Sequence, residues 1–230
     1  TSNGVVQGKE VTLNASGDVY NLNEIVAEDQ VLLNGRNIFN AGSITTTVGI
    51  VDLNATNDIT NIGSITGATQ VDVNAGNELH LKNGLVTGRT HVIMHADNNA
   101  IFEGTSITGA LVDITSGGNV SMTTGSINSA DGTINITANN DISHKNGSII
   151  AQNANLIVGN SIVLEDGSLI ANNTNLVATK GELKQILNAT GAGHEIDATN
   201  LTVKAGQGVS LGSNENKLNN VFLDVSGGGI

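Results

Sequence analysis

The chain has 230 residues and a formal net charge of −12, with 9 Lys and Arg set against 21 Asp and Glu. Nucleic acid and anionic membranes both call for basic clusters, and the sequence has none; nor has it a run of the apolar length that a membrane span requires. Aromatics are 2 % of the residues and Pro and Cys are absent, so the core falls to Val, Ile and Leu, pairing is never interrupted by Pro, and no disulfide contributes.

An apolar start recurs at Val11, Val31, Val51, Val71, Val92, Val112, Ile134, Leu156, Leu176, Leu201 and Val221, in steps of 20, 20, 20, 21, 20, 22, 22, 20, 25 and 20 residues. A period of this size marks stacked supersecondary units that bury their apolar faces on one another. Each copy carries three short runs. The first alternates strictly, as in Val51-Asp52-Leu53 and Val71-Asp72-Val73, so two side chains face inward and the one between faces out. A corner of Asn and a small residue follows, as at Asn54-Ala55 and Asn74-Ala75. The second run opens at Val19, Ile38, Ile59, Leu79, Ala100, Val120, Ile142 and Ile162, and the third at Gly-Ser-Ile or a variant such as Gly63-Ser64-Ile65 or Gly167-Ser168-Leu169. No run keeps helical spacing over a useful length.

These runs predict an all-β chain: a right-handed parallel β-helix (solenoid) of about 10 turns, each of 20–22 residues with three short strands. At ordinary strand spacing of about 4.8 Å the rod is roughly 50 Å long. The repeat covers residues 1–230 as a single β-helical domain, with an irregular turn or insertion around 180–197. The sequence opens without Met and stops in mid-pattern, which reads as a piece of something longer or a processed form.

The turn Val51-Asp52-Leu53-Asn54-Ala55, continued by Asp58-Ile59 and Asn61-Ile62-Gly63-Ser64-Ile65, resembles the repeats of filamentous-haemagglutinin-like exoproteins. Those are the adhesins and contact-dependent inhibition stalks of the two-partner secretion pathway. The resemblance is good over about residues 10–175 and loose beyond. It implies export through an outer-membrane two-partner secretion transporter, a place at the extracellular bacterial surface or in the medium, and a role in adhesion or as a fibre or stalk. Thr, Asn and Ser on flat exposed sheets are suited to contact a host-surface protein or glycan, and the unpaired strand edges expected at the first and last turns make end-to-end self-association a variant of that reading.

Several constellations bear on chemistry. Asp52, Asp72 and Asp113 share the outward position of the first run. Asp52 and Asp72 stack about 4.8 Å apart, close enough to raise one pKa or hold a cation, yet without Arg beside them. They are the basis of the competing reading, a polysaccharide-processing β-helix enzyme of the lyase or phage-spike kind. Asp18, Asp58, Glu78 and Asp141 fall in a corner column, where carboxylates ordinarily accept turn N–H bonds. His80, His91, His95, His144 and His194 read as isolated polar residues on a β surface, too scattered for a structural zinc site. Eight Asn-x-Ser/Thr triplets begin at Asn14, Asn54, Asn119, Asn135, Asn146, Asn172, Asn188 and Asn200, and in an exported chain are glycan acceptors in pattern.

Repeated Asn is the more informative signal. Asn14, Asn34, Asn54 and Asn74 occupy one equivalent corner and Asn21, Asn40 and Asn61 another, so both columns are expected to form amide ladders. The second column continues as Leu81, Phe102, Met122, His144 and Leu164, so that if it faces inward the interior grows more apolar along the rod. The expected function is that of a non-catalytic structural and adhesive segment, without cofactor or metal.

Overall fold

The computed structural model describes Thr1 and residues 4–227. They form a β-solenoid of about 11 turns, all of its strands parallel to the strands they pair with along the rod and none of the described residues helical. A middle turn shows the unit: Ile50–Ala55 makes the first face, Ile59–Asn61 the second and Ser64–Gly67 the third, before Gln70–Ala75 begins the next turn in register on Ile50–Ala55. Later turns join these runs. Ile142–Val158 and Ile162–Ala178 are each one bent strand of 17 residues, because the corner at Gly147 pairs directly with Gly167 and the ladder passes through it.

The core is a set of columns. On the first face Leu33, Leu53, Val73, Met94, Ile114, Ile136, Leu156, Leu176 and Val203 stack turn on turn; on the second, Ile38, Ile59, Leu79, Ala100, Val120, Ile142, Ile162 and Leu183; on the third, Ile25, Ile44, Ile65, Val86, Ile107, Ile127, Ile149, Leu169 and Ile196. All are buried. Each such aliphatic side chain stabilises by roughly 1.5–3 kcal/mol, which outweighs the exposed ion pairs of the surface.

Two corrections to the expected register emerge. Ile134 pairs with Ala154, not Leu156, and Ala154 with Thr174; Leu156 stacks on Ile136. A two-residue slip leaves every side chain on its own face, so alternation alone could not choose between the registers. The 20-residue matches Thr133–Asn153 and Asn135–Asn155 show which is adopted, the second bonded from Asn155 Nδ2 to Asn135 Oδ1 at 2.8 Å. Two extra residues of the preceding turn are absorbed between Ser129 and Thr133, where the register shifts. In consequence the irregular turn runs from Thr174 to Leu201, 27 residues rather than 25. Most of its surplus lies between Ile186 and Glu195, since Glu165 pairs with Ile186 and Ser168 with Glu195. There the chain makes a small excursion closed by an antiparallel bridge between Leu187 and Gly193.

Corners are built by close approach. An added Cβ at Gly42 would lie 1.7 Å from the Asn23 carbonyl of the preceding turn, so that corner admits only glycine. One corner column also runs through the left-handed region, at Asn83, Gly104, Thr124, Asn146 and Asp166 with φ of 52, 60, 62, 54 and 47°. Thr124 is the surprising occupant, because a β-branched side chain is disfavoured there.

Candidate functional site

Asn21, Asn40 and Asn61 end their second-face strands with side chains pointing inward, and all three are buried. The Asn21 Nδ2 donates to Asn40 Oδ1 at 2.7 Å, and Asn40 Nδ2 to Asn61 Oδ1 at 2.6 Å. Further amide protons reach the carbonyls of Ser43, Ser64 and Gly63 at 3.0, 3.2 and 3.1 Å. The ladder is therefore internal, and it pins the third-face corners to the core. Beyond Asn61 the same column becomes Leu81, Phe102, Met122, His144, Leu164 and Gln185, every one buried, so the interior turns apolar from Leu81 to Met122 and polar side chains return at His144 and Gln185.

Asn14, Asn34, Asn54 and Asn74 stack in register on the outside of the first face. Asn34 Nδ2 donates to Asn14 Oδ1 at 2.6 Å and Asn54 Nδ2 to Asn34 Oδ1 at 3.2 Å. Asn54 also turns to Asp52 Oδ1 at 2.8 Å, and the bonded chain stops short of Asn74. The next residue in the column is His95, held between Thr115 Oγ1 and Asp97 Oδ1 at 2.8 Å each.

Two further ladders run along the rod, the first through the corner column that holds Asp58 and Asp141. In the corner before the second face, side-chain oxygens accept the backbone N–H of the following turn: Asn37 from Asp58, Asp58 from Glu78, Asn99 from Asn119, Asn119 from Asp141, and Asp141 from Ser161. Of the carboxylates, Asp58 and Asp141 do accept turn N–H bonds, from the neighbouring turn, whereas Glu78 accepts the Asn99 side-chain amide at 3.0 Å. Asp18 is bound differently. Arg36 grips it with Nε–Oδ1 at 3.0 Å and Nη2–Oδ2 at 3.2 Å, and Asn37 adds a bond at 2.8 Å, which together hold its carboxyl below the usual range. The second ladder joins Asn153, Asn173, Asn200 and Asn220 on the surface at 2.8, 2.8 and 3.0 Å. Its signal was present in the sequence but hidden by the two-residue misregister.

Asp52 and Asp72 are cross-strand neighbours, as expected. Partial burial pushes the Asp52 carboxyl up; the Asn54 amide opposes the rise and the charge of Asp72 adds to it. Each has a partner within its own strand: Asn54 for Asp52, and Gln70 for Asp72, whose two oxygens accept from Nε2 at 2.9 and 2.8 Å. Ile93 separates Asp72 from Asp113, whose carboxylate takes the Asn135 amide at 2.6 Å. The three carboxylates thus do not converge, and among the described residues no group of three or more His, Asp or Glu could hold a metal ion.

The reading of the histidines as surface residues fails for two. His80, His91 and His95 stay on the outer faces, His80 and Lys82 flanking Glu103. His144 and His194 are 2 % and 0 % exposed, and His144 Nδ1 lies 2.6 Å from His194 Nε2. Burial, with the neighbouring imidazole adding to it, pushes His144 down to about 3; burial pushes His194 down to about 4. Beside them Gln185 Nε2 donates to the His194 carbonyl at 2.7 Å and pairs reciprocally with the Asn216 amide. The sequence placed His144 in its column but gave no sign that His194, 50 residues later, returns to meet it. The Asn-x-Ser/Thr asparagines all retain some exposure, Asn188 with its Oδ1 committed to Thr190 and Ala192. Comparison of the chain with protein-family models, with curated protein sequences and with solved structures gives no match.

Proposed function

We propose that this β-solenoid is a non-catalytic structural and adhesive segment of a secreted bacterial surface exoprotein, acting as a fibre or stalk and contacting host proteins or glycans through its polar outer faces. The observation that supports it best is the occupation of the outer polar groups by one another. Asp52 and Asp72, the pair best placed for acid–base chemistry, are each tied to an amide two residues away, and the corner carboxylates are spent on holding the next turn. A catalytic pair needs groups free to meet a substrate proton. Export through a two-partner secretion transporter belongs to the same proposal and rests on the resemblance of the repeat.

The competing enzyme reading draws on the raised Asp52 carboxyl beside Asp72, since perturbed carboxylates are common at catalytic sites. Incubation with panels of acidic and neutral polysaccharides separates the two. Binding without cleavage is expected. Cleavage that disappears in Asp52→Asn and Asp72→Asn would replace the adhesive reading with a catalytic one.

A further inference from the structure

Two polar clusters stand out in the largely aliphatic interior. In one, the Asn21–Asn40–Asn61 ladder, the amides satisfy each other. In the other, His144 stands between Met122 and Leu164 in the same column and meets His194 edge-on, with ring centroids 4.8 Å apart. This pair is incompletely satisfied, because the buried Nδ1 of His194 has no partner.

His194 reaches the interior on the excursion between Ile186 and Glu195. Within the loop Asn188 Oδ1 accepts from Thr190 N at 3.0 Å, Thr190 Oγ1 at 2.7 Å and Ala192 N at 3.2 Å, and Leu187 bridges Gly193. Asn214 ties its outer end, donating from its backbone N to the Gly191 carbonyl at 3.2 Å and from Nδ2 to the Thr190 carbonyl at 3.3 Å. Apart from these Asn214 bonds, the loop's polar hold on the rod's interior is narrow. It consists of the imidazole pair and the bond from Gln185 Nε2 to the His194 carbonyl.

We propose that the His144–His194 pair is an acid-operated latch: as neutral rings it keeps the 187–193 loop docked on the rod, and proton uptake releases the loop.

The chemistry follows from the donors and acceptors. In the neutral pair, one ring donates N–H to the lone pair of the other. A proton added at that contact removes the acceptor and sets two N–H groups face to face. A proton added at His194 Nδ1 gives a buried cation, which is costly in an apolar interior even though the Glu195 backbone favours the charged ring. The carboxylates acting on His194 are Asp166 and Glu195, and both favour its charged form. Glu195 is also engaged by Lys217 Nζ at 2.6 Å. Around His144, Lys145 is paired with Glu165 at 2.7 Å, and His194 is the charged group that acts on it. Burial prevails over these carboxylates, so both rings stay neutral while docked down to about pH 4. A released imidazole takes up its proton near pH 6.5. Between those limits acid favours the open loop.

Hydrogen exchange of the full chain, read by mass spectrometry at pH 7.5 and 5.0 and corrected for intrinsic rates, tests the latch. Opening of peptides over 186–195 should rise at least about 30-fold at pH 5.0, one proton's worth over the 1.5 pH units below 6.5, while turns 51–75 keep their protection. In the double variant His144→Leu/His194→Gln that rise should vanish. Equal protection of the wild-type loop at both pH values would overturn the proposal, as would uniform loosening of the whole rod or a double variant that still responds. Should the double variant not fold, the imidazole titrations of wild-type protein by NMR decide the matter. Apparent pKa values near 6.5 in the folded state would refute the latch, and strongly depressed values would uphold it.

Discussion

Asn40 is the middle rung of the internal ladder, and its replacement gives the sharpest test of how that ladder works. Asn40→Ala removes the acceptor of the 2.7 Å bond from Asn21 and the donor of the 2.6 Å bond to Asn61, together with the amide's contact to the Ser64 carbonyl at 3.2 Å. Asn21 Nδ2 keeps the Ser43 carbonyl at 3.0 Å, whereas Asn61 Oδ1 is left in the core without its donor. An orphaned buried acceptor costs about 1–3 kcal/mol, and the emptied amide volume adds a cavity. The expected loss is about 2–4 kcal/mol. Asn40→Leu fills the space but leaves the same orphan, and should lose about 1–3 kcal/mol. The triple change Asn21→Leu, Asn40→Leu and Asn61→Leu removes donors and acceptors together and extends the apolar column that begins at Leu81. It should be more stable than either single variant, because replacing a whole polar set by apolar groups is close to neutral. Equilibrium urea unfolding followed by circular dichroism measures the series, with hydrogen exchange over 38–65 to detect turns that open separately. A single variant within about 0.5 kcal/mol of wild type, or a triple variant as damaged as the sum of its parts, would refute the reasoning.

Other expectations follow from the columns. Leu53→Ala, in the centre of the first face and fully buried, should lose about 2–5 kcal/mol in the same assay; a loss under 1 kcal/mol would mean the core relaxes around it. Thr174 stands among aliphatic residues, between Ala154 and Leu201, with its hydroxyl buried and unpartnered; Thr174→Val should gain about 1 kcal/mol, and destabilisation would reveal a partner for that oxygen. Gly42→Ala should disrupt the corner at Asn23 and lower the melting temperature by more than a cavity variant does, since the clash is with backbone. The acid dependence of global stability has a definite sign. His144 and His194 titrate lower folded than unfolded, so stability is complete above pH 6.5 and falls as pH drops from there toward 4, by up to about 1.4 kcal/mol per pH unit for each ring. A flat profile across that window in urea titrations would contradict the burial of the pair.

Much of the architecture could be read in advance because a solenoid repeats its instructions. Alternation at Val51-Asp52-Leu53 fixed which side chains face inward, and the ten-odd copies agreed on three faces and their corners. What alternation cannot encode is register modulo two. The columns of Ile134 and Ile136 offered equally apolar partners at Ala154 and Leu156, and the larger side chain misled. The internal position of Asn21, Asn40 and Asn61 was legible only through the Leu and Phe that succeed them in the column. The His pair was illegible for a different reason: His194 sits in the one stretch without a copy elsewhere in the chain, so no neighbouring turn could reveal where it points.

The side-chain ladders also give the rod a sense of direction. On its outer faces the amide of a later turn donates to the oxygen of an earlier one, from Asn34 to Asn14, from Asn57 to Asn37 and from Asn220 to Asn200. Inside, Asn21 donates to Asn40 and Asn40 to Asn61, the opposite way. A ladder of the outer kind starts with an NH2 group and finishes with a carbonyl. Such a surface is vectorial, and anything that extends it must present the matching sense: an acceptor before Asn14, a donor after Asn220.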